Sequence, residues 1–207
     1  KAGADVVVLD GMEGATAATQ EVFIEHVGQP TIACIRPAVE ALQELDMHHK
    51  VQLVLSGGIR NGADVAKAIA LGADAVSIGT AALVALGDND PALEEEYQKM
   101  DTTAGAYDDW HEGNDPAGIT TQRPELAQRL DPIRGGRRLA NYLAVLTMEL
   151  QTLARANGKS NVLSLEPEDL VALTVEAAAM ARVPLAGTTW IPGNENRDRP
   201  GSGPTLD

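Results

Sequence analysis

Cysteines, aromatic residues and basic residues are all scarce in this sequence of 207 residues. The single cysteine, Cys34, excludes an internal disulfide framework and any all-cysteine metal or iron–sulfur site formed by this chain alone. The 16 Lys and Arg against 30 Asp and Glu give a net charge of −14, which argues against binding to nucleic acid or anionic membranes. Aromatic residues are only 3% of the chain, too few for a surface on which bases stack.

Long hydrophobic runs are also missing. No apolar stretch approaches the roughly 20 residues that span a bilayer, and no signal peptide is visible, so we expect a cytoplasmic protein. The composition itself, 44% hydrophobic and 22% charged, is typical of a globular protein. Because the chain opens at Lys1, directly before a strand-like segment, we interpret it as a piece of a longer polypeptide.

Short apolar runs alternate with helix-compatible stretches over residues 1–87, which is the pattern of successive βα units in a parallel sheet. The predicted strands are Asp5–Leu9, Thr31–Ile35, Val51–Leu55 and Ala75–Ile78. The predicted helices are Thr19–Val27, Pro37–Leu45 and Ala63–Leu71. Four such units form either a small doubly wound domain or the C-terminal half of a (β/α)8 barrel, since a whole barrel takes about 250 residues.

The remaining residues have a different character. Residues 88–115 hold ten acidic residues against Lys99, which predicts a solvated acidic insertion over 88–126 or, alternatively, a docking surface for a basic partner. Residues 127–192 are expected to be a helical extension, with helices over 136–157 and from Glu166 to Ala181, and 193–207 a flexible tail. A basic group, Arg134, Arg137 and Arg138, is expected either to pair with the acidic segment or to contact another subunit.

Two successive predicted strands end in glycine turns that open helices. The first turn contains Ser56, Gly57 and Gly58, and the second contains Gly79 and Thr80. Glycines let backbone N–H groups approach an anion closely, and a helix N-terminus supplies partial positive charge. The two turns predict a phosphate site, although plain tight turns would give the same glycines.

The segment after the first strand is the second candidate site. It carries Asp10, Gly11, Glu13, Gly14 and Thr16 and is expected at the same edge of the sheet, where barrel enzymes place catalytic groups. The alternative interpretation is an ordinary loop.

These motifs together resemble the FMN-binding barrel of glutamate synthases. The matching runs, in the family's order and spacing, are 10–18, 56–65, 71–73, 78–80 and 83–87. The resemblance implies FMN bound at Ser56, Gly57, Gly58, Gly79 and Thr80. It also implies that the loop after the first strand faces flavin and substrate, with Gly11, Gly14 and Thr16 binding substrate and Asp10 and Glu13 as catalytic residues.

The match resumes at Asp115–Leu126, where the family has a cysteine that binds a [3Fe–4S] cluster. Here that position is Asp115, and the position of another cluster cysteine is Asp88, so no iron–sulfur cluster and no metal site are expected. Within the superfamily, the chain is similar to the large subunits of N-methylglutamate synthases, which form N-methylglutamate and ammonia from methylamine and glutamate. That likeness implies an FMN enzyme whose partners are an amidotransferase-like subunit, a second small subunit and the N-terminal half of the same barrel.

Three alternatives stay open: a cluster-free glutamate synthase that makes glutamate from 2-oxoglutarate and ammonia, a non-catalytic scaffold subunit, and a phosphate-binding barrel without flavin. For Glu13, two roles are open as well. It either deprotonates the incoming methylammonium, a task made more important because Met12 replaces the family's histidine, or it caps the helix that follows.

Overall fold

Three strands form one parallel sheet in the computed structural model, which describes residues 3–14, 21–99 and 113–194. The strands are β1 (Val6–Asp10), β2 (Gln52–Ser56) and β3 (Ala75–Ser77), and β2 lies between the other two. Leu55 pairs with Leu9 on one side and with Val76 on the other. The strands predicted at residues 5–9, 51–55 and 75–78 are therefore confirmed to within one residue.

Eight α-helices are described. They are α1 (Glu21–His26), α2 (Thr31–Glu44), α3 (Gly62–Ala70), α4 (Thr80–Leu86), α5 (Glu94–Lys99), α6 (Pro124–Ala127), α7 (Pro132–Ala156) and α8 (Val175–Ala181). Short 3-10 turns lie at Pro91–Leu93, Val162–Ser164 and Pro167–Asp169. None of these helices is long and apolar enough to cross a membrane.

The predicted strand Thr31–Ile35 is wrong, because these residues are the start of helix α2. The helix runs through Pro37, which we expected to begin it, and buries Ile35 and Val39 one turn apart. A short apolar run fits a buried strand and a buried helix equally well, so periodicity could not separate them. The prediction of four βα units is wrong for the same reason, since the described part of residues 1–87 holds three strands.

The predicted continuous helix from Glu166 to Ala181 is also wrong. It is divided into the turn Pro167–Asp169 and helix α8, which Thr174 caps by accepting a hydrogen bond from the Ala177 N–H at 3.1 Å. Between them, Ala172 forms a parallel bridge with Leu185. In this bridge, the Ala172 N–H donates to the Pro184 carbonyl and the Ala172 carbonyl accepts from the Ala186 N–H, each at 2.8 Å.

The core lies between one face of β2 and the helices. Leu53 and Leu55 are 1% and 2% exposed, whereas Gln52, Val54 and Ser56, which alternate with them, are exposed or partly exposed. The buried side chains of α2, α3, α7 and α8 continue this core. The sheet is thus covered by helices of the described chain on one face.

Strand β1 is less well covered than β2. Its side chains Val6, Val7 and Val8 are 50%, 38% and 59% exposed, so neither of its faces is fully buried by the described residues. Apolar strand residues are normally buried, so the exposed valines of β1 are an unusual surface for the described residues.

The acidic segment is partly described, and Asp101, Asp108, Asp109 and Glu112 lie outside the described residues, as does the predicted tail from residue 195 onward. Arg138 pairs with Asp90 at 3.5 Å, which confirms pairing between the basic group and this segment for that residue. Arg129 makes a second such pair with Glu96 at 2.8 Å.

Gly62 allows α7 to lie directly against the first turn of α3. A Cβ on Gly62 would lie 2.7 Å from the Leu150 backbone N, closer than van der Waals packing permits, whereas a Cβ on Gly136 would have nothing within 4 Å. We predict that Gly62→Ala lowers the free energy of unfolding by about 1–3 kcal/mol. Gly136→Ala, a matched control within α7, should raise it by about 0.5–1 kcal/mol because alanine favours the helix.

Urea unfolding of both variants measures these differences. Equal stability of Gly62→Ala and the wild-type protein would show that the contact between α3 and α7 is not as close as described.

Candidate functional site

The three strands end side by side at one edge of the sheet. Asp10 pairs in register with Ser56, and Ser56 pairs with Ser77. Because the strands are parallel, the segments that follow them leave from the same edge, which is where ligands bind in α/β proteins. The structure therefore brings the two glycine turns and the segment after β1 to one place, as the sequence predicted.

Backbone contacts pack the segment after β1 tightly against its neighbours. The Gly11 N–H donates to the Ser56 carbonyl at 3.2 Å, and the Gly14 N–H donates to the Gly11 carbonyl at 2.8 Å. A Cβ on Gly11 would lie 2.5 Å from the Thr31 Cα, and one on Gly57 would lie 2.8 Å from the Gly14 N. Packing alone thus requires these glycines. The substrate-binding role of Gly11 and Gly14 stays a prediction.

Of the other two residues predicted in this segment, Asp10 and Thr16, the structure describes only Asp10. The exposed Asp10 side chain lies over Gly14, whose missing Cβ leaves room for the carboxylate. Thr16 lies outside the described residues, so its predicted contact with substrate stays a prediction.

Glu13 contacts the start of α2. Its Oε2 accepts a hydrogen bond from the Thr31 N–H at 2.8 Å and another from the Thr31 hydroxyl. Burial alone would raise the pKa of Glu13, but these hydrogen bonds outweigh it and the pKa is lowered. A carboxylate at the positive end of a helix is stabilised in the charged form. The geometry thus gives Glu13 a capping contact with α2, not with α1, the helix that directly follows it in the sequence. Its role as a general base stays a prediction.

The turn after β2 contains backbone N–H groups without a partner among the described residues. Gly57 and Gly58 have φ of +105° and +74°, values that side chains disfavour. Within the described residues, the N–H groups of Gly58 and Ile59 donate no hydrogen bond. At the end of the turn, Asn61 caps α3 by accepting from the Asp64 N–H at 3.0 Å.

The turn after β3 leaves the N-terminus of α4 without a side-chain cap. The exposed Gly79 is the residue before the helix, and a Cβ there would have nothing within 4 Å. The N–H groups of Thr80 and Ala81 have no acceptor in the part of the chain that the structure describes. Two neighbouring turns thus present unpaired backbone donors, and the turn after β3 also has open space at Gly79, which fits a phosphate group.

Helix α7 supplies two contacts to the turn after β2 that sequence reasoning missed. The Tyr142 hydroxyl donates to the Arg60 carbonyl at 2.9 Å, and the Glu149 Oε2 accepts from the Gly62 N–H at 2.8 Å. Burial raises the pKa of Tyr142, and the nearby Asp64 and Glu149 charges raise it further. No local sequence signal marks these contacts, because the partners are more than 80 residues apart.

Asp88 and Asp115 meet at one tyrosine. The Tyr97 hydroxyl lies 3.2 Å from a carboxylate oxygen of each. Asp115 is 8% exposed, and burial alone would raise its pKa. Hydrogen bonds from the N–H groups of Thr120, Ala117 and Ile119, at 2.8, 2.9 and 2.7 Å, outweigh burial and lower that pKa. Among the described side chains, no group of three or more His, Cys, Asp and Glu is arranged to hold a metal ion.

We predict that Glu13→Gln lowers the free energy of unfolding at pH 7 by about 1 kcal/mol, because the amide keeps the shape but loses the charge at the N-terminus of α2. The folded-state pKa of Glu13 is depressed, so its stabilisation is present above the ordinary value of 4.5 and is lost as the pH falls through the folded pKa.

The stability difference between Glu13→Gln and the wild-type protein should therefore shrink as the pH falls below 4.5, as measured by urea unfolding at several pH values. The control is Glu25→Gln, which changes an exposed carboxylate of α1. A difference that is independent of pH would contradict the capping contact.

Comparisons with known proteins place these features in a family. The sequence family described as "Conserved region in glutamate synthase" matches residues 1–91 and 105–160. A glutamate synthase large subunit-like protein of Rhizobium meliloti (strain 1021) is 78% identical over 193 residues, which are 93% of this chain and 44% of that protein.

More distant relatives match as well. The archaeal glutamate synthase (NADPH) of Methanocaldococcus jannaschii is 44% identical over 162 residues, covering 78% of this chain and 29% of that protein. The chloroplastic ferredoxin-dependent glutamate synthase of Oryza sativa subsp. japonica is 30% identical over 156 residues, covering 75% of this chain and 8% of that protein. The chain thus spans less than half the length of these curated relatives. Since the family match covers most of its residues, this chain belongs to the glutamate synthase family.

Proposed function

We propose that this chain is part of an FMN-dependent, glutamate-synthase-like subunit that forms N-methylglutamate from methylamine and glutamate and releases ammonia. The observation that carries the proposal is the pair of neighbouring glycine turns, after β2 and β3, whose backbone N–H groups are unpaired within the described residues. Family membership supports it, because the same turns carry the resemblance to the flavin-binding barrel.

The residues fit a flavin phosphate. Gly58 and Ile59 offer N–H groups from one turn, and Thr80 and Ala81 offer them from the other, at the positive end of a helix. Gly79 leaves the space that a phosphate needs. Ser56, the last residue of β2, would contribute its hydroxyl. No charged side chain is required, because helix N-termini and glycine turns bind anions through their backbone.

The barrel itself is part of the proposal. The helices cover one face of β2, which leaves Gln52, Val54 and Ser56 on the other face, as in a strand that faces a barrel interior. Strand β1 is exposed on both faces, and the curated relatives are more than twice as long as the matched region. We propose that further residues of the same polypeptide pair with β1 and complete the barrel.

The proposed reaction exchanges one amine for another at the α-carbon of glutamate. The carbon–nitrogen bond to ammonia breaks, a bond to methylamine forms, and the electron pair that leaves glutamate returns to the product. FMN supplies a temporary acceptor for that electron pair. The reaction needs no net supply of electrons. It therefore needs no iron–sulfur cluster, which agrees with Asp88 and Asp115 at the positions where the family has cluster cysteines.

Residues of the segment after β1 would accept the proton that methylammonium loses. Methylammonium must lose a proton before its nitrogen can attack an imine carbon. Asp10 is exposed at the end of β1, and Glu13 holds its carboxylate at the start of α2. The hydrogen bonds with Thr31 lower the pKa of Glu13 and occupy its Oε2, so we propose that the exposed Asp10 carboxylate accepts that proton alongside Glu13.

We also propose that the subunit works in the cytoplasm with an amidotransferase-like subunit and a second small subunit. A second candidate function, a cluster-free glutamate synthase that uses 2-oxoglutarate and ammonia, is favoured by the names of the archaeal-type relatives.

Product analysis separates the two functions. We expect the full complex, given glutamate and isotopically labelled methylamine without an external reductant, to form labelled N-methylglutamate and an equal amount of ammonia. Formation of glutamate from 2-oxoglutarate, ammonia and a flavin reductant, with no labelled product in the first assay, would support the cluster-free glutamate synthase instead.

Gly79→Val tests the phosphate site with little risk to the fold, because the side chain would enter open space. We predict that the full-length variant folds but loses FMN by at least about tenfold in affinity, since the side chain would occupy the space of the phosphate. Gly58→Val is a poorer test, because Gly58 has positive φ and a Cβ there would lie 3.3 Å from the Glu13 Cβ.

Fluorescence titration of the apoprotein with FMN measures the affinity. The matched control is Gly136→Val, an exposed glycine of α7 that also has nothing within 4 Å and should bind FMN normally. Unchanged FMN binding by Gly79→Val would remove the turn after β3 from the site.

A further inference from the structure

We infer that Tyr142 and Glu149 of α7 are positioning residues for the FMN phosphate, because they hold the turn Gly57–Gly62 in the shape that presents its N–H groups. The inference rests on the proposed function, since it needs a phosphate at that turn. Both residues belong to α7, and each lies more than 80 residues after its partner in the turn.

The two contacts hold the C-terminal end of the turn. The Tyr142 hydroxyl donates to the Arg60 carbonyl at 2.9 Å, which fixes the peptide plane between Arg60 and Asn61. The Glu149 Oε2 accepts from the Gly62 N–H at 2.8 Å, two residues further on. A backbone fixed at consecutive peptides has little freedom to change the direction of the N–H groups that precede them.

The rest of α7 makes this support rigid. Leu146, which lies between Tyr142 and Glu149 in the sequence, is 7% exposed. Leu150, which directly follows Glu149, is 8% exposed. The backbone of α7 lies so close to Gly62 that the glycine has no room for a side chain. Because interiors are close-packed, α7 cannot shift relative to the turn without losing these contacts.

Glu149 also decides where an anion can bind. The first N–H groups of α3 would themselves attract a phosphate, as at any helix N-terminus. Glu149 takes the Gly62 N–H and Asn61 takes the Asp64 N–H, and Glu149 adds a negative charge. The Gly62 and Asp64 N–H groups are thus already taken, and the Glu149 carboxylate repels an anion at the start of α3. An anion is thereby directed to the unpaired N–H groups of Gly58 and Ile59 earlier in the same turn.

The test compares FMN with riboflavin, which differs only in lacking the phosphate. Dissociation constants of both are measured by fluorescence titration with the full-length apoprotein and with the variants Tyr142→Phe, Glu149→Ala and Glu149→Gln. We expect Tyr142→Phe and Glu149→Ala to weaken FMN binding about tenfold, the usual effect of one lost hydrogen bond, and to leave riboflavin binding unchanged. Glu149→Gln keeps an acceptor oxygen for Gly62 and should retain most of the FMN affinity.

Two controls match the chemical changes. Tyr97→Phe removes a hydroxyl that contacts Asp88 and Asp115 instead of the turn, and Glu168→Ala removes an exposed carboxylate from the turn at Pro167–Asp169. Neither should change the ratio of the two dissociation constants. Circular dichroism and the melting temperature check that each variant folds, and Tyr142→Phe, which keeps the aromatic ring, carries the test if Glu149→Ala does not fold.

Equal weakening of FMN and riboflavin by Tyr142→Phe would overturn the inference, because the contact would then support the fold without acting on the phosphate. Unchanged FMN affinity in both variants would overturn it as well. A wild-type protein that binds neither flavin would instead refute the proposed function, and the inference with it, so the two failures are distinguishable.

Discussion

The parallel register of the three strands is the constraint on which the candidate site depends. Leu55 lies between Leu9 and Val76, and this register buries Leu53 and Leu55 against the helices. A shift by one residue would turn both leucines to the opposite face, so hydrophobic burial fixes the register. The same register makes the strands end together, which brings the segment after β1 and the two glycine turns to one edge.

Close backbone packing then shapes that edge. Gly11, Gly14 and Gly57 bring the first two segments together, and Gly62 lets α7 support the second from behind. Glycines in such loops are easily interpreted as ligand-binding residues, yet these four are each required by a neighbouring backbone or side chain. Gly79 is different, because a Cβ there would have nothing within 4 Å, so close packing does not require a glycine at this position.

The sequence predicted what depends on neighbouring residues. The strands β1, β2 and β3 were recognisable because each is a short apolar run next to a glycine-containing turn, and the family resemblance, now confirmed, followed from the order of those turns. The strand at Thr31–Ile35 was predicted wrongly, because the helix there depends on burial of Ile35 and Val39 and on the distant Glu13.

Apart from the pairing of the basic group with the acidic segment, specific contacts between residues far apart in sequence could not be predicted. Glu13 meets Thr31 across 18 residues, Glu149 meets Gly62 across 87, and Tyr97 joins Asp88 to Asp115. Each depends on how helices pack on the sheet, and no local pattern of residue types encodes that arrangement. Glu13 and Glu149 are clear examples, because the residue type alone does not distinguish a glutamate that caps a helix from one that faces solvent.

We propose that glutamate passes an electron pair to FMN bound at this edge of the sheet. The most direct measurement is the visible flavin absorption of the full complex after anaerobic addition of glutamate, with no other reductant present. We expect the flavin to bleach and its colour to return as N-methylglutamate forms after methylamine is added. A flavin spectrum that stays unchanged while N-methylglutamate is produced would contradict it.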